Sequence, residues 1–329
     1  MTLKDMAPHT SEEISSAVQQ RLPVVALEST LIAHGLPWPD NLQLAQDVEE
    51  IVRAEGAVPA TIGIINGTVK VGLSLSDLEL MAREQMVVKV SRRDLAVVHA
   101  KGLHGATTVA ATLHLAVQTD IRVMATGGIG GVHREARDTW DVSADLAVLG
   151  EAPVAVAASG VKSILDIPAT LEYLETQSVP VVGYQTHRFP GFYLRDSGQP
   201  VDWRVDSPEE IAAIYWSQRA LGTRAALLVA NPVPSKAALD PEVHNRSLDE
   251  ALRLAKETGV AGRSVTPFLL KKLRELSDGE ALSANVALIR ANARLAAQIA
   301  VSLEAADEGT GKGNQQGPGR TRAGDDPED

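Results

Sequence analysis

The sequence predicts an α/β protein: three layers, with a mixed but largely parallel central sheet between helices. Three observations lead there. Short apolar runs alternate with amphipathic stretches through most of the 329 residues. Runs such as Pro23–Leu27 are apolar throughout, as in strands buried on both faces. Asn66-Gly67 between apolar runs is a hairpin signal and adds an antiparallel piece.

Taken in order, Ser11-Glu12-Glu13 gives a cap-like acidic start to a helix through about Gln20. The strand at Pro23–Leu27 ends in Glu28-Ser29-Thr30, where a charge can simply mark the chain surfacing. A rigid loop, His34–Pro39, leads to Asp40 as N-cap of a helix from about Asn41 to Ala54, stopped by Gly56. Pro59–Ile65 and Val69–Val71 form the hairpin. Ser76-Asp77-Leu78-Glu79 starts a helix, and Met86–Val90 is a strand with Lys89 inside it. Such a lysine usually snorkels or marks an edge. Thr107-Thr108 caps a helix through about Gln118 that is small and apolar on most faces and therefore buried. Its N-terminus offers free N–H groups to an anion.

Ile121–Ala125 is a strand, and Thr126-Gly127-Gly128-Ile129-Gly130-Gly131-Val132-His133 follows it. This turn fails the Gly-x-Gly-x-x-Gly dinucleotide pattern, because His133 holds the last position. What remains is a turn whose backbone can approach a ligand closely. His133 beside it can serve chemistry or merely solvate the loop. Strands then follow at Leu146–Leu149, Pro153–Ala158, Val179–Tyr184 and Ala225–Ala230. Helices are expected at Pro208–Leu221, Pro241–Glu257, Pro267–Leu276 and Ser283–Glu304. One catalytic-sized domain thus occupies residues 1–305, and residues 306–329 form a polar tail expected to be disordered.

Composition narrows the function. The net charge is -11 and aromatic residues make up 3% of the chain, so recognition of a nucleic-acid polymer is disfavoured. A small anion needs only one local basic pocket. With no cysteine, disulfides, thiolate metal sites and a cysteine nucleophile are excluded. The N-terminus lacks the apolar core of a signal peptide, and no apolar run reaches membrane-spanning length, so a cytoplasmic protein is expected.

The stretch Asp141–Asp166 carries the densest chemistry. Asp141 and Asp145 lie four apart with Ser143 between, and can hold a hard cation or cap a loop. Lys162 follows Ser159-Gly160 at a strand end and looks like the opening of a helix. There the helix dipole and partial burial would favour a neutral, nucleophilic amine, while Asp166 one turn on would give an ordinary salt bridge.

Several motifs in one order resemble the pseudouridine-5′-phosphate glycosidases, the indigoidine synthase A-like family. They are Ala26–Pro37, Pro59–Gly63, Thr126–Arg134, Asp141–Leu146, Ser159–Asp166, Asn231–Pro234 and Ser283–Asn285. The resemblance covers all but the tail. It implies reversible cleavage of the carbon–carbon glycosidic bond of pseudouridine 5′-phosphate to uracil and ribose 5-phosphate. It also implies a divalent metal, typically Mn2+, and a homotrimer. By the family pattern Lys162 forms an imine with the opened sugar, and Glu28 is the general acid. Lys89, Val109, Ser143, Ala144 and Asp145 contact substrate, and Asp141 is the metal ligand. Asn285 and His133 are further candidates for the same pocket. Two other readings stand beside this one: another imine-forming sugar-phosphate lyase, and a non-catalytic sugar-phosphate or nucleotide sensor. A sensor has no need of both an acid and an imine-former.

Overall fold

The computed structural model describes residues 7–313 apart from 261, 263 and 264. Among these, one sheet holds β1 (His9–Thr10), β2 (Val24–Leu27), β3 (Val58–Ile65), β4 (Thr68–Val71), β5 (Val88–Val90), β6 (Gly105–Thr107), β7 (Val123–Ala125), β8 (Ala155–Ala158), β9 (Val181–Tyr184), β10 (Trp203–Val205) and β11 (Leu227–Ala230). The helices are α1 (Glu12–Gln19), α2 (Thr30–His34), α3 (Asp40–Ala54), α4 (Leu75–Arg83), α5 (Leu95–Ala100), α6 (Val109–Gln118), α7 (Ala136–Thr139), α8 (Ala144–Leu149), α9 (Ile167–Thr176), α10 (Pro208–Ala220), α11 (Pro241–Thr258), α12 (Val265–Leu276) and α13 (Glu280–Gly313).

The strand order is β1-β4-β3-β2-β7-β8-β11-β9-β10, with β6 branching from β3 and β5 from β6. Pairing is parallel except where β3 meets β4 and β6. The β3–β4 pair is the hairpin that Asn66-Gly67 predicts, with both turn residues at positive φ. Every residue of β2, β8 and β11 is buried, as a parallel sheet covered on both faces requires. Helix α13 lies along β2, β7 and β8 with α3 and α10 beside it, while α6 packs on β2 and on α8. The layered, mostly parallel architecture is thus the one expected.

Chain direction sets where a ligand can bind. From β2 the chain moves to β3 on one side; β7 and β8 then build outward on the other. The β2/β7 boundary is therefore a topological switch point, where the strand ends leave a crevice. Register does the rest. Leu27 pairs with Ala125 and Ala125 with Ala157, so Glu28, Thr126 and Ala158 leave the sheet at one level.

Beneath that edge lies a buried amide. Asn292 of α13 is fully buried; its Nδ2 donates to Thr126 O at 2.8 Å, Gly127 O at 3.2 Å and Ser159 Oγ at 3.1 Å. Its Oδ1 accepts from Asn231 Nδ2 at 2.9 Å. One side chain thus ties together the ends of β7, β8 and β11. Small residues at Ala293, Ala296, Ala297 and Ala300, all buried, let α13 approach closely enough to do this. Among the described residues this helix alone is long and apolar enough to cross a membrane, but its apolar surface is spent on the sheet.

Three expectations change. Leu146–Leu149 is helical, within α8, not a strand. Ser143 caps it by accepting from Asp145 N at 3.2 Å, and burial at Asp145, Leu146, Val148 and Leu149 with Ala147 exposed follows a helical period. Lys162 does not open a helix. Gly160 at positive φ, and a bridge from Val161 to Ile129, turn the chain back over the glycine-rich loop. Helix α9 starts at Ile167 with Pro168 in its first turn, and Asp166 accepts from Ala169 N at 3.0 Å as its cap. Finally, α13 runs past residue 305 to Gly313, while the rest of the expected tail, 314–329, lies outside the described residues.

Asn292→Leu leaves two backbone carbonyls and an amide unpaired in the interior. We expect a loss of about 2–4 kcal/mol in urea unfolding; a loss under ~0.5 kcal/mol would show that the network does not hold the strand ends.

Candidate active site

A cavity of about 600 Å³ opens at this edge of the sheet. Every residue singled out by the sequence lines it: Glu28, Lys89, Val109, Asp141, Ser143, Ala144, Asp145 and Lys162, with His133 and Asn285. They come from well-separated elements. Glu28 follows β2, the glycine-rich turn follows β7, and Lys162 follows β8. Lys89 comes from β5, Val109 opens α6, Ser143 to Asp145 begin α8, and Asn285 lies in the first turns of α13.

Glu28 is held from both sides. Thr30 Oγ1 donates to its Oε2 and Thr126 Oγ1 to its Oε1. The second contact follows from the β2–β7 register; the first is a two-residue reach at the start of α2.

Asp145 is buried, and both its oxygens are engaged. Oδ1 accepts from Ala110 N at 2.9 Å and Oδ2 from Gly130 N at 2.8 Å. This carboxylate satisfies a free N–H in the first turn of α6 and pins the glycine-rich loop beside it. A Cβ on Gly130 would run into Ser143 Oγ and Asp145 Oδ2, so glycine is what permits the approach. Of the two carboxylates in the 141–145 segment, then, only Asp141 presents oxygens to the cavity free of such backbone bonds.

Asp141 is part-exposed, and its Oδ2 lies 3.8 Å from His133 Nε2, beyond hydrogen-bond range. Burial holds the His133 pKa below the ordinary histidine value, with Asp141 opposing and Lys89 reinforcing that shift. Burial and then Lys89 also lower His34, another residue lining the cavity. Both imidazoles are therefore neutral at neutral pH. Among the described residues no three His, Asp or Glu side chains converge as a ready-made metal cage. Asp141, with the neutral His133 nearby, suits a hard divalent cation that takes its remaining oxygens from water and ligand.

Lys89 reaches into the cavity, accessible from within but ringed by protein. This burial pulls its pKa below the usual lysine value, and the Lys162 charge pulls it further; Asp145 and Glu28 act the other way. The two amines share one cavity, and Lys162 makes no ion pair with Asp166, whose carboxylate caps α9. The lysine's setting is a like-charged cavity, not a helix terminus.

Residues that sequence reasoning passed over also line the cavity: Thr30, His34, Arg93, Phe192, Lys271 and Arg274. Of these, Arg93, Lys271 and Arg274 make a local basic pocket with Lys89 and Lys162 on an acidic chain. Thr30 and Thr126 both stood inside recognisable motifs, but nothing in spacing told that they would converge on Glu28. The α12 residues carried no motif at all.

Comparison with known proteins gives a consistent picture. The family model described as indigoidine synthase A like protein matches residues 13–302. A protein of Salinispora tropica named pseudouridine-5′-phosphate glycosidase is 53% identical over 89% of this chain and 91% of its own length. One of Caldanaerobacter subterraneus with the same name is 50% identical over 89% of this chain and 95% of its own. Among solved structures, the prealnumycin C-glycosynthase AlnA in complex with ribulose 5-phosphate superposes with a TM-score of 0.86 at 37% identity, covering 93% of this chain and 99% of that one. An indigoidine synthase A-like protein of Thermotoga maritima gives 0.83 at 40% identity, covering 91% and 97%.

Two amines in one cavity make a prediction whose sign is fixed. Lys162→Met removes a like charge, so the Lys89 amine should titrate at higher pH; Glu28→Gln removes an attraction, so it should titrate lower. NMR of ¹³C-labelled lysine measures both. No movement of Lys89 in the Lys162 variant would show that the two amines are not electrostatically coupled.

Proposed function

The chain belongs to the indigoidine synthase A-like family, and on that premise we propose that it reversibly cleaves pseudouridine 5′-phosphate to uracil and ribose 5-phosphate. The observation that supports this most is the meeting of an acid, Glu28, and a primary amine, Lys162, in one cavity from opposite sides of β7. A carbon–carbon glycosidic bond demands that pair. Its leaving atom is a uracil carbon, which must take up a proton, and the sugar must accept the positive charge left behind.

In the proposed sequence the Lys162 amine bonds to C1′ as the C1′–O4′ bond of the ribose opens, and the proton the nitrogen sheds is taken up by O4′ as a hydroxyl. The nitrogen lone pair then forms the imine while the C1′–C5 bond breaks. The electrons of that bond take the proton of Glu28 at C5. Water adds to the imine and releases ribose 5-phosphate; the proton it gives up restores the acid. Lys89, the first turn of α6 and the Ser143–Asp145 segment suit the anionic end of the substrate. Asp145 would act there by fixing backbone donors, since its own oxygens are already engaged.

A divalent cation, manganese by the family resemblance, belongs to the same proposal. Asp141 would hold it with His133 nearby, and it would supply charge stabilisation to sugar or phosphate oxygens. A homotrimer and a cytoplasmic setting are part of the proposal on the same ground. The name of the AlnA relative, a C-glycosynthase, favours reading this cavity as able to run in the bond-forming direction too.

Incubation with pseudouridine 5′-phosphate and Mn2+, followed by ultraviolet absorbance, should show uracil. Borohydride with ribose 5-phosphate should attach a sugar to the wild type, and Lys162→Ala should lose both the adduct and turnover. An adduct that persists in Lys162→Ala would move the imine elsewhere. Glu28→Gln should lower kcat by about 10²–10⁴-fold while leaving the adduct in place; full activity would remove the acid role.

A further inference from the structure

We infer that Thr126 and Thr30 are positioning residues that hold the Glu28 carboxylate in register with the substrate carbon. This rests on the reading of Glu28 as the acid. Each hydroxyl donates to a different carboxylate oxygen, so the carboxylate plane is fixed at both ends. Packing alone does not fix it. A second, small cavity of about 30 Å³ lies against Glu28, bordered by Leu27, Ala45, Thr61 and Thr126 as well. That is room for about one water, and room for an untethered carboxylate to turn away from the reaction.

The tether is itself anchored. Thr126 is buried, at 4% exposure, and its carbonyl accepts from the fully buried Asn292. Thr126 N donates to Ala157 O at 3.1 Å, so its backbone is bound on the β8 side as well. A rigid strand end therefore sets the carboxylate's position. Thr30 in α2 closes the other side, so the acid is bracketed by one group from each flank of its own strand end. A hydroxyl suits both protonation states. It donates to the carboxylate, and by rotating it can accept from the acid, so the geometry survives proton transfer.

The test separates positioning from architecture. Thr126→Val keeps shape and volume but removes the hydroxyl; Thr126→Ser keeps the hydroxyl. With pseudouridine 5′-phosphate, Thr126→Val should lose about 100-fold in kcat, the scale of a misplaced catalytic group, with KM within about 3-fold. Thr126→Ser should recover most of the loss, and Thr30→Val should behave like Thr126→Val. Borohydride trapping of ribose 5-phosphate should persist in every variant, because imine formation from the free sugar does not use the tether. Wild-type kcat in Thr126→Val, with Glu28→Gln impaired, would overturn this inference and leave the acid reading standing. Equal impairment of the Val and Ser variants, or loss of trapping, would overturn it by showing a structural effect. Wild-type activity in Glu28→Gln would overturn the acid reading and this inference with it.

Discussion

The carboxylate of Asp145 is bonded through both oxygens to backbone N–H groups of two different elements, and the shape of the site depends on it. A buried carboxylate is costly unless its lone pairs are met. Here they are met by Ala110 in the first turn of α6 and by Gly130 of the loop after β7. Those partners must stay where they are, because moving either would strand a charge in the interior. The constraint propagates. It holds the glycine-rich loop against α6, places Ser143 against Gly130, and so fixes the path from Gly130 to Asp141 and His133. The loop's flexibility on paper becomes rigidity in place, since glycine is what allows so close a contact.

A second constraint lies one layer below. Asn292 does for the strand ends what Asp145 does for the loop. Both are buried polar groups, Asp145 met by backbone N–H groups and Asn292 by two backbone carbonyls and the side chains of Ser159 and Asn231, and both act across elements far apart in sequence. Fully satisfied networks of this kind are stiff, and a partly broken one is costly. The site thus stands on two polar anchors set in an otherwise apolar core, not on the apolar packing alone.

The sequence was most legible where physics is local. The β3–β4 hairpin follows from Asn66-Gly67, the start of α6 from Thr108, and the start of α1 from Ser11. It was least legible where a short segment's fate depends on tertiary contacts. Leu146–Leu149 is as apolar as a strand, and only its cap and the helix α6 beside it make it helical. Lys162 looked like a helix start because it directly follows a Ser-Gly pair at a strand end. The real start was encoded by Asp166 and Pro168, a cap and a first-turn proline. The cavity's membership was legible through motifs, whereas its supports were not. Thr126 reaches Glu28 through strand register, and register is a non-local property that no single-strand pattern contains.

Strand order also explains how Glu28 and Lys162 coexist without neutralising one another. A free glutamate beside a lysine would form an ion pair, and each group would lose its chemistry. Here the acid leaves the sheet from β2 and the lysine from β8, with β7 between them. Their strand ends are therefore separated by two inter-strand spacings, about 10 Å. Two hydroxyls occupy the acid instead of an amine. Among the described residues neither Lys89 nor Lys162 forms an ion pair with Glu28, so the carboxylate is attracted to Lys89 only at longer range. For the proposed reaction, a gap of that width is also what a reacting sugar would need, with the Lys162 amine on one side and the Glu28 carboxyl on the other. The separation that prevents the resting ion pair is the one that would admit the proposed substrate, and both are set by where β7 sits in the sheet.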